Sequence, residues 1–96
     1  VKSSNEYSIK ELIDSIIDRY HIRSNMDETS LRLNWEEMMG KSIANHTRSI
    51  RLKGNKLYLS LDSASLKHEL FISKEKLIER INEYLGRESI KEVVIR

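Results

Sequence analysis

The chain has 96 residues, a size at which one hydrophobic core is expected and a second domain is nearly excluded, so residues 1–96 read as a single domain. A composition of 39% hydrophobic and 33% charged residues excludes a disordered chain, and no apolar run approaches the roughly 18 residues needed to span a bilayer. The net charge of +2 is unevenly spread: residues 1–47 hold six Lys or Arg against eight Asp or Glu, residues 48–96 eleven against seven, which suggests a face for a polyanion as much as plain solubility.

From Ser8 the positions Ile9, Leu12, Ile13, Ile16, Ile17 and Tyr20 step by three and four, the stripe of an amphipathic helix expected to end near His21. Ser8 with Glu11 reads as a capping box, and Tyr7 with Leu12 as a hydrophobic staple. A second helical pattern is expected to begin after Asp27 or Thr29 and to pass through Leu31, Trp35, Met38 and Met39. Ile43 and Ala44 keep its spacing past Gly40, so this helix is expected to continue, bent, to about His46.

At Arg48 the period becomes two. Ile50 and Leu52, then Leu57, Leu59 and Leu61, alternate with polar residues, and Gly54-Asn55 between them fits a two-residue type II′ hairpin turn. This register pairs Leu52 with Leu57 and Ile50 with Leu59 on one face, and Arg51 with Tyr58 and Lys53 with Lys56 on the other. After Asp62-Ser63 one long helix is expected through Leu66, Leu70, Leu77, Ile81 and Leu85, stopping at Gly86. Val93, Val94 and Ile95 then read as a closing strand. The order helix-helix-strand-strand-helix-strand predicts a two-layer α+β domain, a three-stranded sheet with helices on one face and the other face open. Strand order does not follow from the pattern.

Enzyme signatures are missing. His21, His46 and His68 lie on separate elements with no metal-ligand spacing, and Gly40, Gly54 and Gly86 are isolated, so no phosphate-binding loop can be built. Neither catalytic residues nor a metal or cofactor is expected. The polar amino terminus offers no secretory signal, and with no cysteine the chain is expected to be cytoplasmic.

The hairpin is the informative segment. Arg48, Arg51, Lys53 and Lys56 stand between residues 48 and 61 without an acid, and the register puts three of them beside Tyr58. Cations that attract phosphates beside a ring that stacks a base are what single-stranded nucleic acid needs. The same residues also suit an open sheet that carries Lys and Arg against aggregation, with Tyr58 as a cross-strand neighbour. Lys67, Lys74, Lys76 and Arg80 alternate with Glu69, Glu75, Glu79 and Glu83 and read as a solvated face laced with ion pairs. Trp35 reads as core.

Trp35 with Gly40 five residues on, Ile43-Ala44-Asn45-His46-Thr47, Leu57-Tyr58-Leu59-Ser60-Leu61-Asp62-Ser63, His68-Glu69-Leu70 and the terminal Val94-Ile95-Arg96 together resemble the bacterial DciA family over nearly the whole chain. The resemblance implies a KH-like domain, a non-enzymatic role with the replicative helicase in replication initiation, and affinity for DNA. The paired-glycine clamp of true KH domains is absent, since Gly40 has no partner three residues away. The expected partners are single-stranded DNA, with RNA as an alternative, bound through Arg48, Arg51, Lys53, Lys56 and Tyr58, and the replicative helicase, met by a helix surface that the sequence does not identify. The competing expectation is a protein-interaction adaptor that ignores nucleic acid.

Overall fold

Helix α1 (Ile9–Arg19) starts where the capping box places it, with Ser8 Oγ accepting the Glu11 N–H at 3.0 Å and Glu11 Oε1 accepting the Ser8 N–H at 2.9 Å. The computed structural model describes residues 8–19 and 22–96; Tyr7, Tyr20 and His21 lie outside them, and with them the expected staple and helix end. Ile9, Leu12, Ile13 and Ile16 of the α1 stripe do not enter the core: Ile9 is 78% exposed and Ile16 still 43%.

Helix α2 (Ile22–Met39) begins well before the expected Asp27 or Thr29. Its first turns, Arg23-Ser24-Asn25-Met26, carry no apolar period, so nothing in the pattern marks them as helical. Asp27 is an interior helix residue, only 8% exposed, whose carboxylate takes the Arg87 guanidinium and the Ser89 hydroxyl, the latter at 3.0 Å. The expected continuation to His46 is interrupted. Gly40 has φ +93° and ψ 160°, a conformation essentially reserved for glycine, so α2 stops and a short helix α3 (Lys41–Asn45) starts afresh.

Strands β1 (Thr47–Lys53) and β2 (Lys56–Leu61) form the hairpin with the expected register: Ile50 opposite Leu59, Arg51 opposite Tyr58, Leu52 opposite Leu57 and Lys53 opposite Lys56. Gly54 supplies the positive φ, +61°, at the first turn position. The ladder slips between Thr47 and Ser49, leaving Arg48 as the extra residue of a bulge.

The single long helix expected after Ser63 is two. Helix α4 (Ala64–Ile72) is capped by Ser63 Oγ, which accepts the Leu66 N–H at 3.3 Å, and helix α5 (Lys74–Leu85) follows after Ser73 at φ −101°, ψ 21°. The apolar stripe holds the clue, since it jumps from Leu70–Phe71 to Leu77 with Ser73 and Lys74 at the skipped turn. Gly86 closes α5 in the left-handed conformation, and Arg87 N–H reaches back to the Asn82 carbonyl at 3.2 Å, the outer bond of a Schellman motif. The Asn82 amide then holds the descending chain, accepting the Ser89 and Ile90 N–H groups and donating to the Ile90 carbonyl, each at 2.9 Å. This delivers strand β3 (Glu92–Ile95) parallel to β2, for a sheet order β1-β2-β3.

The two-layer α+β class read from the sequence is the observed one. Leu31 and Trp35 of α2, Leu70 of α4, and Leu77 and Ile81 of α5 are buried with Ile50, Leu52, Leu57, Leu59, Leu61 and Val93 of the sheet. Trp35, 4% exposed, also donates its Nε1–H to Thr47 Oγ1 at 3.0 Å, and Thr47 donates onward to the Ile43 carbonyl at 2.6 Å. That relay anchors the start of β1 to α2 and α3.

Candidate nucleic-acid interface

Because strand side chains alternate, the register that buries the aliphatics turns Arg51, Lys53, Lys56 and Tyr58 to the opposite face. There Arg51, Tyr58 and Val94 lie abreast across the three strands, and Lys53, Lys56 and Glu92 form the next row. Arg51, Lys53, Tyr58 and Arg96 line one shallow depression. Arg96 is the residue that sequence reasoning missed. Its guanidinium lies over the Tyr58 ring, 5.1 Å from the centroid, and only the parallel docking of β3 on β2 brings it there.

A second groove runs along the outer edge of β1, lined by Arg32, Trp35, Glu36, Arg48 and Arg51. Arg51 is common to both, so the cations form a band from the edge of β1 onto the open face. Arg48 is thus separated by the bulge from the Arg51–Tyr58 row, but it is not remote from Arg51.

The charges are partly matched. Arg48 is bound to Asp62, whose other oxygen is 2.7 Å from His46 Nδ1; these contacts, the His46 hydrogen bond first, hold the Asp62 carboxyl below its ordinary pKa. Lys56 is 3.7 Å from Glu92, Arg51 Nε 3.7 Å from Glu28, and Arg32 3.0 Å from Glu28. Among the described residues Lys53 and Arg96 have no carboxylate at ion-pairing distance. The ion pairs expected along α5 do not form among the described residues: Arg80 instead donates to the Met38 carbonyl at 3.3 Å, at the end of α2, and Lys74 lies over Phe71. Among those residues no group of His, Asp or Glu is arranged to hold a metal ion, and no helix is long and apolar enough to cross a membrane.

The fold and this face define a small α+β domain with helices on one side of its sheet and a cationic, aromatic surface on the other. The family model described as "Dna[CI] antecedent, DciA" matches residues 8–95, and the chain belongs to that family. It is also 36% identical over 62 residues to a UPF0232 protein of Corynebacterium glutamicum (strain R), a match covering 65% of this chain and 35% of that protein. The chain therefore corresponds to only part of that longer relative.

Proposed function

We propose that this domain is a non-enzymatic accessory of the replicative helicase that binds single-stranded DNA on its open sheet face. Family membership supports the helicase-loader-like role in replication. The observation that carries the DNA reading is the depression shared by Arg51, Lys53, Tyr58 and Arg96 on a face that, among the described residues, no helix covers. Phosphates are drawn to Arg51, Lys53 and Lys56, and to Arg48 beyond the edge of β1, while a base stacks against the Tyr58–Arg96 pair. Such binding is tolerant of sequence, because every base has a π face.

The test is a salt titration of fluorescence anisotropy with labelled single-stranded DNA. Binding weakens steeply with salt, and each charge neutralised at Arg51, Lys53 or Lys56 lowers the slope by roughly 0.7 to 1. An unchanged slope in the triple variant removes the hairpin from the proposal. Competition with RNA of matched length decides between the two polyanions. Co-purification with the host's replicative helicase, with and without DNA, tests the partner. The competing reading, an adaptor whose cations meet protein carboxylates, draws on one observation: Arg48, Arg51 and Lys56 already have acidic neighbours.

A further inference from the structure

The outward side chains of the three strands form a grid on the open face. The register sets Ser49 beside Ser60, then Arg51 beside Tyr58 and Val94, then Lys53 beside Lys56 and Glu92. Arg96 completes the row of Ser49 and Ser60, because its N–H bonds the Leu59 carbonyl at 2.9 Å and its carbonyl takes the Leu61 N–H at 3.0 Å, on either side of Ser60. Tyr58 is at the centre, half-buried.

Four lines pass through that centre, and their ends differ in charge. Along β2 the ends are the Ser60 hydroxyl and Lys56, which is 3.7 Å from Glu92. Straight across the strands they are Arg51, 3.7 Å from Glu28, and the aliphatic Val94. One diagonal runs from the hydroxyl of Ser49 to the carboxylate of Glu92. The other runs from Lys53 to Arg96, both exposed, and among the described residues neither has a carboxylate at ion-pairing distance. Only this line offers a cation on either side of the ring, and neither cation has to leave an acid before it can hold a phosphate.

Two strand spacings of about 4.8 Å and four residue rises of about 3.3 Å put the Cα atoms of Lys53 and Arg96 roughly 16 Å apart. Their long side chains shorten that span. The Arg96 guanidinium already lies 5.1 Å from the Tyr58 ring centroid, and Lys53 bounds the same depression.

We infer that a single strand crosses the sheet along this diagonal, with one base stacked on the Tyr58–Arg96 pair and the phosphates on its two sides held by Arg96 and by Lys53. A trinucleotide is the shortest strand without terminal phosphates that has a base between two phosphates, so the face takes a short segment. Glu92 repels phosphate from the adjoining corner and keeps the strand off the other diagonal. This path rests on the proposal that the face binds single-stranded DNA, and adds to it the direction of the strand and the two cations that hold it.

An exchange of charges tests the path. Lys53→Glu combined with Glu92→Lys keeps the net charge of the face and still leaves Lys56 beside an acid, yet it moves one cation from the end of the diagonal to the other corner. Anisotropy of labelled tetrathymidylate with the full-length protein, at about 0.1 M salt, is expected to show roughly tenfold weaker binding by the exchanged variant. Lys53→Gln and Arg96→Gln each weaken binding roughly fivefold, and their losses multiply when combined, because each cation holds its own phosphate. All three side chains are exposed, and denaturant melts that match the parent's show that the fold is kept. An exchanged variant that binds as tightly as the parent overturns the path while the DNA reading stands, since the strand then answers to net charge alone. So do single variants without effect. A parent that binds no single-stranded DNA removes the DNA reading and the path with it.

Discussion

Glu28 of α2 accepts the main-chain N–H of Leu52 at 2.7 Å, standing where a neighbouring strand's carbonyl would stand. The same carboxylate pairs with Arg32, which donates to the Ile50 carbonyl, so two helix residues one turn apart satisfy one donor and one acceptor that β1 turns outward. The packing of α2 is thereby locked in register with the hairpin that carries the cations.

Glu28→Ala leaves that N–H without its partner and should cost about 1 to 3 kcal/mol of stability, whereas Glu28→Gln, which keeps an acceptor, should cost about 1 kcal/mol or less. Denaturant melts measure both. Amide exchange at Leu52 should accelerate beyond the global change in Glu28→Ala, and equal protection in variant and parent would contradict the contact.

Trp35→Ala removes a buried ring and should cost about 3 to 5 kcal/mol. Trp35→Phe keeps most of the packing but loses the Nε1–H bond to Thr47, for about 1 kcal/mol on top of any packing change. Equal thermal melts for the alanine variant and the parent would show the ring to be dispensable.

Asp62 ties His46 at the end of α3 to Arg48 in the bulge. Its carboxyl is held below its ordinary pKa first by the hydrogen bond from His46, which desolvation opposes, and then by Arg48. The unfolded chain therefore binds a proton there more readily than the folded one. The stabilisation is complete above the unfolded value, about pH 4, and is lost as pH falls through the lower folded value. Melting temperature should drop on acidification in that window, and Asp62→Asn should flatten part of the drop. Asp14, lowered by Lys10 first and then Arg23, contributes with the same sign.

Tyr58→Ala should weaken single-stranded DNA binding by about 1 to 3 kcal/mol if a base stacks on the Tyr58–Arg96 pair, with the salt slope nearly unchanged. Arg96→Gln should lower both affinity and slope, the slope by roughly 0.7 to 1. Anisotropy titrations at two salt concentrations separate the two effects.

Much of the architecture is legible in the linear pattern because its causes are local. A period of two with Gly54 at the turn specifies the hairpin register, a capping pair starts α1, and Gly86 ends α5 by the conformation that only glycine adopts easily. These involve neighbours a few residues apart, whose geometry the chain settles before it packs. Arg51, Lys53, Lys56 and Tyr58 could be assigned to one face for the same reason.

What the pattern does not hold is which distant groups meet. The contact of Glu28 with β1 and the seat of Arg96 over Tyr58 both join elements by packing, and each partner alone is an ordinary polar residue. Hydrophobic alternation records which side of a strand faces inward, but not which strand lies beside it, since every strand order buries the same side chains. The tertiary fold made that choice by docking β3 parallel to β2, and with it completed the cationic face.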